Sequence, residues 1–142
     1  MKYLFLLITV LIIGCGTKGK GSYDEGVKLF EEQKYRESIT ELQKAVEENP
    51  DFGEAYMYMG RAYNLLQQYD LSIDNYQKAL GIFRQGKFNA AVANLNDDAK
   101  IKQIVEVWMP YSQIQQKIQK GIPLTEIEIQ KQEEILKRLN PK

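Results

Sequence analysis

The stretch GVKLFEEQKYRESITELQKA, residues 26–45, returns as GRAYNLLQQYDLSIDNYQKA at residues 60–79. At this offset of 34, eight positions are identical: Gly26/Gly60, Gln33/Gln67, Tyr35/Tyr69, Ser38/Ser72, Ile39/Ile73, Gln43/Gln77, Lys44/Lys78 and Ala45/Ala79. Average residue usage gives about one. Leu29/Tyr63 and Leu42/Tyr76 add apolar matches. Small residues seven apart on a helix, Ser38 with Ala45 and Ser72 with Ala79, clear a groove for a neighbouring helix's large side chains. The pattern predicts helices over 22–33, 36–48, 54–67 and 70–85, with Pro50 breaking the second from the third.

A helical repeat of this period resembles the tetratricopeptide repeat. Gly26 and Gly60 match the small position of its first helix, Leu29 and Tyr63 the large one a turn later. Ser38, Ser72, Ala45 and Ala79 match the small positions of its second helix, and Pro50 the closing proline, where the second repeat has Arg84 instead. A third unit is present in altered form, because Gly86-Lys87-Phe88-Asn89-Ala90-Ala91-Val92 looks like the family's inter-helix turn and the start of a second helix. The resemblance covers about residues 22–95. It implies a concave surface lined by Tyr23, Val27 and Phe30 from repeat one and by Met57, Tyr58, Arg61 and Asn64 from repeat two. These side chains serve either a partner or the packing between repeats and under the C-terminal helices. Tyr63, Tyr69, Tyr76, Phe88 and Trp108 are assigned to the core. The carboxylate clamp of chaperone-binding members uses Lys and Asn where this chain has Tyr23 and Val27, and Asn where it has Tyr58. Capture of a peptide's free terminal carboxylate by that device is not expected.

Towards the C-terminus, Asn96-Asp97-Asp98 suits a helix start, and Ile101, Ile104, Val105, Trp108, Tyr111, Ile114 and Ile118 follow at helical spacing. Pro110 is expected to kink or break that helix. Gly121-Ile122-Pro123 ends it, and Thr125-Glu126-Ile127-Glu128 is a capping box for a last helix that covers the open apolar end. The expected architecture is all-α: a short solenoid of two clear tetratricopeptide-type repeats plus a degenerate third, with C-terminal capping helices.

Towards the N-terminus the chain changes character. Met1-Lys2 precedes an uncharged run, Leu4–Ile13, whose ten residues rise about 15 Å as a helix against a hydrocarbon core of roughly 30 Å. A cleavable export signal fits that length better than a permanent span. Ile12-Ile13-Gly14-Cys15 resembles the lipobox of bacterial lipoproteins, which implies a signal peptide over 1–14 and a diacylglyceryl chain, usually with an added acyl chain, on Cys15. Residues 15–21 read as a lipid-anchored flexible tether, glycine-rich and without an apolar side chain after Cys15, and 22–142 as the helical domain. Gly16 stands where an Asp often retains lipoproteins in the inner membrane, so the outer membrane is favoured if the source has one.

Composition narrows the function. The 142 residues carry 19 basic and 19 acidic side chains, one cysteine and no histidine. Zero net charge provides no broad footprint for nucleic acid. The absence of histidine removes the commonest catalytic base and metal ligand, and one cysteine excludes an internal disulfide or a structural zinc cluster. Adjacent carboxylates such as Asp97-Asp98 do not face each other on a helix. No catalytic site, metal or cofactor is predicted. The expected function is that of a tethered adaptor or scaffold of the cell envelope, holding a protein or peptide in the concave groove; pilotins and outer-membrane assembly lipoproteins share this anchor-plus-repeat plan. The competing readings are a self-associating structural lipoprotein and a cell-wall-directed carboxylate hydrolase using Asp97 and Asp98.

Overall fold

The computed structural model describes residues 18–88 and 97–140. The expected signal, Cys15 and most of the altered unit at 86–92 lie outside the described residues. Among the described residues every regular element is helical. Helices α1 (Lys20–Glu31) and α2 (Tyr35–Glu48) form one hairpin, and α3 (Gly53–Leu65) and α4 (Tyr69–Phe83) a second. Further along, α5 (Asp97–Gln103), a π-helical turn (Ile104–Trp108) and α6 (Met109–Gln119) run on directly from one another, and α7 (Glu126–Leu139) is last.

The glycine and serine identities at offset 34 make equivalent contacts. A Cβ on Gly26 would lie 2.7 Å from the Leu42 side chain, and one on Gly60 would lie 2.6 Å from the Tyr76 ring. No side chain fits between these helix pairs, so the backbones approach over glycine. The Ser38 hydroxyl donates to the Gly26 carbonyl at 2.7 Å and the Ser72 hydroxyl to the Gly60 carbonyl at 2.8 Å. Each serine is wholly buried, and each bond satisfies a hydroxyl that would otherwise cost about 1–3 kcal/mol inside the protein.

The hairpin turns repeat as well. Gln33 and Gln67 take left-handed backbone, at φ 62° and 59°. The Lys34 amide donates to the Leu29 carbonyl and the Gln68 amide to that of Tyr63, both at 2.9 Å. These are the closing bonds of a Schellman motif, which stops α1 and α3 two residues short of the predicted ends. Gly121, at φ 67°, closes a third turn in the same way: the Ile122 amide donates to the Lys117 carbonyl at 2.9 Å. A third hairpin is therefore made by α6 and α7. Arg138 pairs with Glu106 at 3.1 Å, Lys117 pairs with Glu128, and Ile135 is fully buried. The last helix packs chiefly on α6, and Ile127 on its outer side is 77% exposed.

Pro110 does not break the helix into separate pieces. It sits in the first turn of α6, behind the π-helical turn, where the Met109 amide donates to the Ile104 carbonyl five residues back. Proline has no N–H to give, and its ring crowds the carbonyl four residues earlier. The wider preceding turn accommodates both, so the helical path continues from Asp97 to Gln119.

Two apolar clusters flank α3. Tyr23, Leu42, Val46, Phe52, Ala55 and Met59 lie between it and the first hairpin. Met57, Tyr76, Leu80, Phe83 and Ile104 lie on its other side, with Phe88 and Trp108 packed against them. Tyr69 and Tyr76 are buried as expected, and Tyr63 packs against the first cluster.

The cap of α7 carries a pH dependence. The Thr125 hydroxyl accepts from the Glu128 amide at 3.3 Å, while the Glu128 carboxylate accepts from the Thr125 amide at 3.0 Å. The Lys117 ammonium first, and the Thr125 amide second, lower the Glu128 carboxyl from 4.5 to about 2. A carboxyl depressed by folding stabilises the fold above its unfolded value and loses that contribution as pH falls through the folded one. Thermal melting should therefore show a Glu128 contribution that fades between about pH 4.5 and 2. Glu128→Gln should flatten this part of the profile; an unchanged profile in the variant would show that Glu128 has no role in it.

Candidate functional site: the face shared by three parallel helices

Helix α3 runs alongside the helical path 97–119 in parallel register. Lys100 Nζ meets Glu54 Oε1 at 2.8 Å, the Arg61 guanidinium lies 5.2 Å from the Trp108 ring, and the Asn64 side-chain amide donates to the Ser112 hydroxyl at 2.5 Å. Glu54, Arg61 and Asn64 share one side of α3, at spacings of seven and three. Lys100, Ile104, Trp108 and Ser112 recur every four residues. An α-helix turns about 40° beyond a full circle in four residues, and the π-helical turn at Ile104–Trp108 reduces that drift. It keeps Trp108 and Ser112 on the side facing α3.

On the opposite flank α3 meets α1. Tyr23 stacks on Phe52 with ring centroids 4.7 Å apart, and Phe30 meets Tyr58 edge-on at 5.5 Å. The Arg61 guanidinium lies 4.9 Å from the Phe30 centroid and 5.3 Å from that of Tyr58. Three rings from three helices thus surround one cation, and each such contact contributes about 0.5–2 kcal/mol according to its exposure.

The seven residues expected to line the groove divide into two groups. Tyr23 is 6% exposed, Met57 5% and Asn64 7%. Tyr23 is a core residue whose hydroxyl is pushed far above the ordinary tyrosine range, by burial first and by the neighbouring Tyr58 and Glu54 next. Met57 belongs to the second cluster, and Asn64 is occupied by Ser112. For these three the expectation of an open groove is corrected: the α1–α3 contact closes over Tyr23, α4 with Ile104 over Met57, and α6 over Asn64. Val27, Phe30, Tyr58 and Arg61 remain half-buried and come together at one place.

Ser112, Lys100 and Glu54 carry no mark in the repeat pattern. The Ser112 hydroxyl lies 3.0 Å from that of Ser72 and donates to the Trp108 carbonyl at 2.9 Å. With the Ser72 proton on Gly60 and the Ser112 proton on Trp108, the bond that links the third hairpin to the second is the Asn64 amide donating to Ser112, and the two hydroxyls lie in contact beside it. At the far end of α6, Lys120 and Gln116 bond the Asp70 carboxylate, Lys120 at 3.0 Å, and hold that carboxyl below its usual range. A spacing of four between Lys100 and Ser112 was the available signal. Its register against α3, however, follows no 34-residue period.

Among the described residues no group of three or more His, Cys, Asp or Glu side chains is placed to hold a metal ion. No helix among them is long and apolar enough to cross a membrane. In comparisons with known proteins, no family model, no curated protein and no solved structure matches the chain.

Proposed function

We propose that the chain is a membrane-tethered adaptor of the bacterial cell envelope, built on a short tetratricopeptide-type solenoid that holds a protein or peptide partner against Val27, Phe30, Tyr58 and Arg61. Its third unit, in this reading, is the α6–α7 hairpin. The observation that carries the proposal is the meeting of Phe30, Tyr58 and Trp108 around Arg61 on the face shared by α1, α3 and the path 97–119. Aromatic and arginine side chains dominate the energetics of interfaces, because they offer large area with a polar handle. Equivalent glycine contacts, serine bonds and closing turns in the first two hairpins support the repeat reading. The tether rests on the lipobox-like sequence at Cys15, which would place the domain at a membrane surface, in the outer membrane if the source has one.

The test is the double variant Tyr58→Ala, Arg61→Ala. It should reduce capture of the partner from native membranes by tenfold or more, since hot-spot truncations cost about 2 kcal/mol or more each, with helicity and melting nearly unchanged. Undiminished capture by the folded double variant would remove the groove from the account.

Self-association is the second reading, and one observation favours it. Ile127, Ile129 and Leu136 on α7 are 77%, 45% and 40% exposed, although α7 is the last helix of the stack. Concentration-dependent sedimentation would support it, whereas a monomer at all concentrations would exclude it.

A further inference from the structure

Arg61 is the one groove residue whose charge the fold leaves unanswered. Among the described residues it forms no ion pair and no hydrogen bond, and its Nε is sealed from solvent without a partner. Glu54, two turns earlier on α3, is paired with Lys100, and Glu106, two residues before Trp108, with Arg138. The rings of Phe30, Tyr58 and Trp108 fix the guanidinium in place, but a ring face does not neutralise a full charge. The terminal nitrogens Nη1 and Nη2, which have no partner among the described residues, are the part of the side chain left for a ligand.

We propose that Arg61 is a recognition point for a side-chain carboxylate: the partner is a peptide segment with an Asp or Glu beside an apolar residue. The carboxylate takes both terminal nitrogens in a forked pair, and the apolar neighbour lies on Phe30 and Tyr58. A planar fork suits two carboxylate oxygens, and a pair formed in partial shelter from water is stronger than one in solvent. A polyanion is disfavoured, since it needs several cations in a row. On the helices that form the groove, Lys28 is paired with Glu25 and Lys100 with Glu54. The inference rests on the groove reading above and adds the chemistry of its occupant.

The experiment uses the full chain in detergent micelles on an array of short peptides, every sequence synthesised twice, once with Glu or Asp and once with Gln or Asn. Retention is expected on acidic members that carry an adjacent apolar residue, falling about tenfold or more on their amide counterparts. Arg61→Lys keeps the charge and the stem but loses the fork, and should weaken acidic spots by a similar factor. Equal retention on acid and amide members, full retention by Arg61→Lys, or no retention on any acidic member would each overturn the proposal while leaving the groove reading in place. Undiminished retention by the Tyr58→Ala, Arg61→Ala variant would overturn both.

Discussion

Glu54→Ala should destabilise the domain by about 3–5 kcal/mol, the cost of breaking a buried ion pair from one side. Glu54 is fully buried and Lys100 is 3% exposed, with 2.8 Å between carboxylate and ammonium. Removing the carboxylate takes the nearest opposite charge from a buried ammonium, and the Phe83 and Phe88 rings, 6.0 and 5.7 Å away, offset only part of that loss. A smaller contribution disappears too, because Glu54 lies in the first turn of α3, where the helix dipole favours an anion. Since the pair joins α3 to α5, the third hairpin should loosen before the first. The companion variant Glu54→Leu, Lys100→Met should regain most of the loss, as apolar replacements of buried pairs commonly do. Urea denaturation measures both. A loss under about 1 kcal/mol for Glu54→Ala would mean that water reaches the pair and that the hairpin is not held there.

Tyr76→Ala should cost a similar amount, about 3–5 kcal/mol, because a fully buried ring is removed and the surrounding helices cannot close the space. Tyr76→Phe, which keeps the ring, should cost far less. The diagnostic comparison is with Gly60. Alanine is intrinsically better than glycine within a helix by about 1 kcal/mol. In the native chain, however, its Cβ would lie 2.6 Å from the Tyr76 ring, and overpacking of that kind costs about 1–3 kcal/mol. Gly60→Ala should therefore destabilise the native chain and stabilise the Tyr76→Ala variant. The same sign in both backgrounds would refute the close approach of α3 and α4 at this point.

Much of this packing is legible in the residues themselves. Gly26/Gly60, Ser38/Ser72 and Leu42/Tyr76 are read from the sequence as a repeated hairpin, and they occupy equivalent places in it. The helix ends are less legible, because the left-handed positions at 33 and 67 hold glutamine, a residue without the conformational signature of glycine. Gly121 carries that signature at the third turn. What hid the third hairpin was spacing: α6 and the helical path leading into it meet α3 at offsets of 46 to 48, from Lys100–Glu54 to Ser112–Asn64, in place of 34. The π-helical turn before Pro110 has no sequence signature beyond the proline. Tyr23, Met57 and Asn64 look like groove residues by position; the α1–α3 contact covers the first and α4 with Ile104 the second, while the register of α6 over Asn64 follows no local pattern. Phe30, Tyr58 and Arg61 are legible as residue types suited to an interface. That Trp108 completes their cluster depends on the register of the third hairpin.

The central claim, a partner held on the α1–α3 face, is tested most directly by contact. A photo-crosslinking residue placed at Tyr58 of the full chain in cells should give a covalent adduct with a distinct protein. The same residue at Lys44, exposed on α2, should give none. Adducts of equal yield from both positions, or none from position 58, would contradict the account.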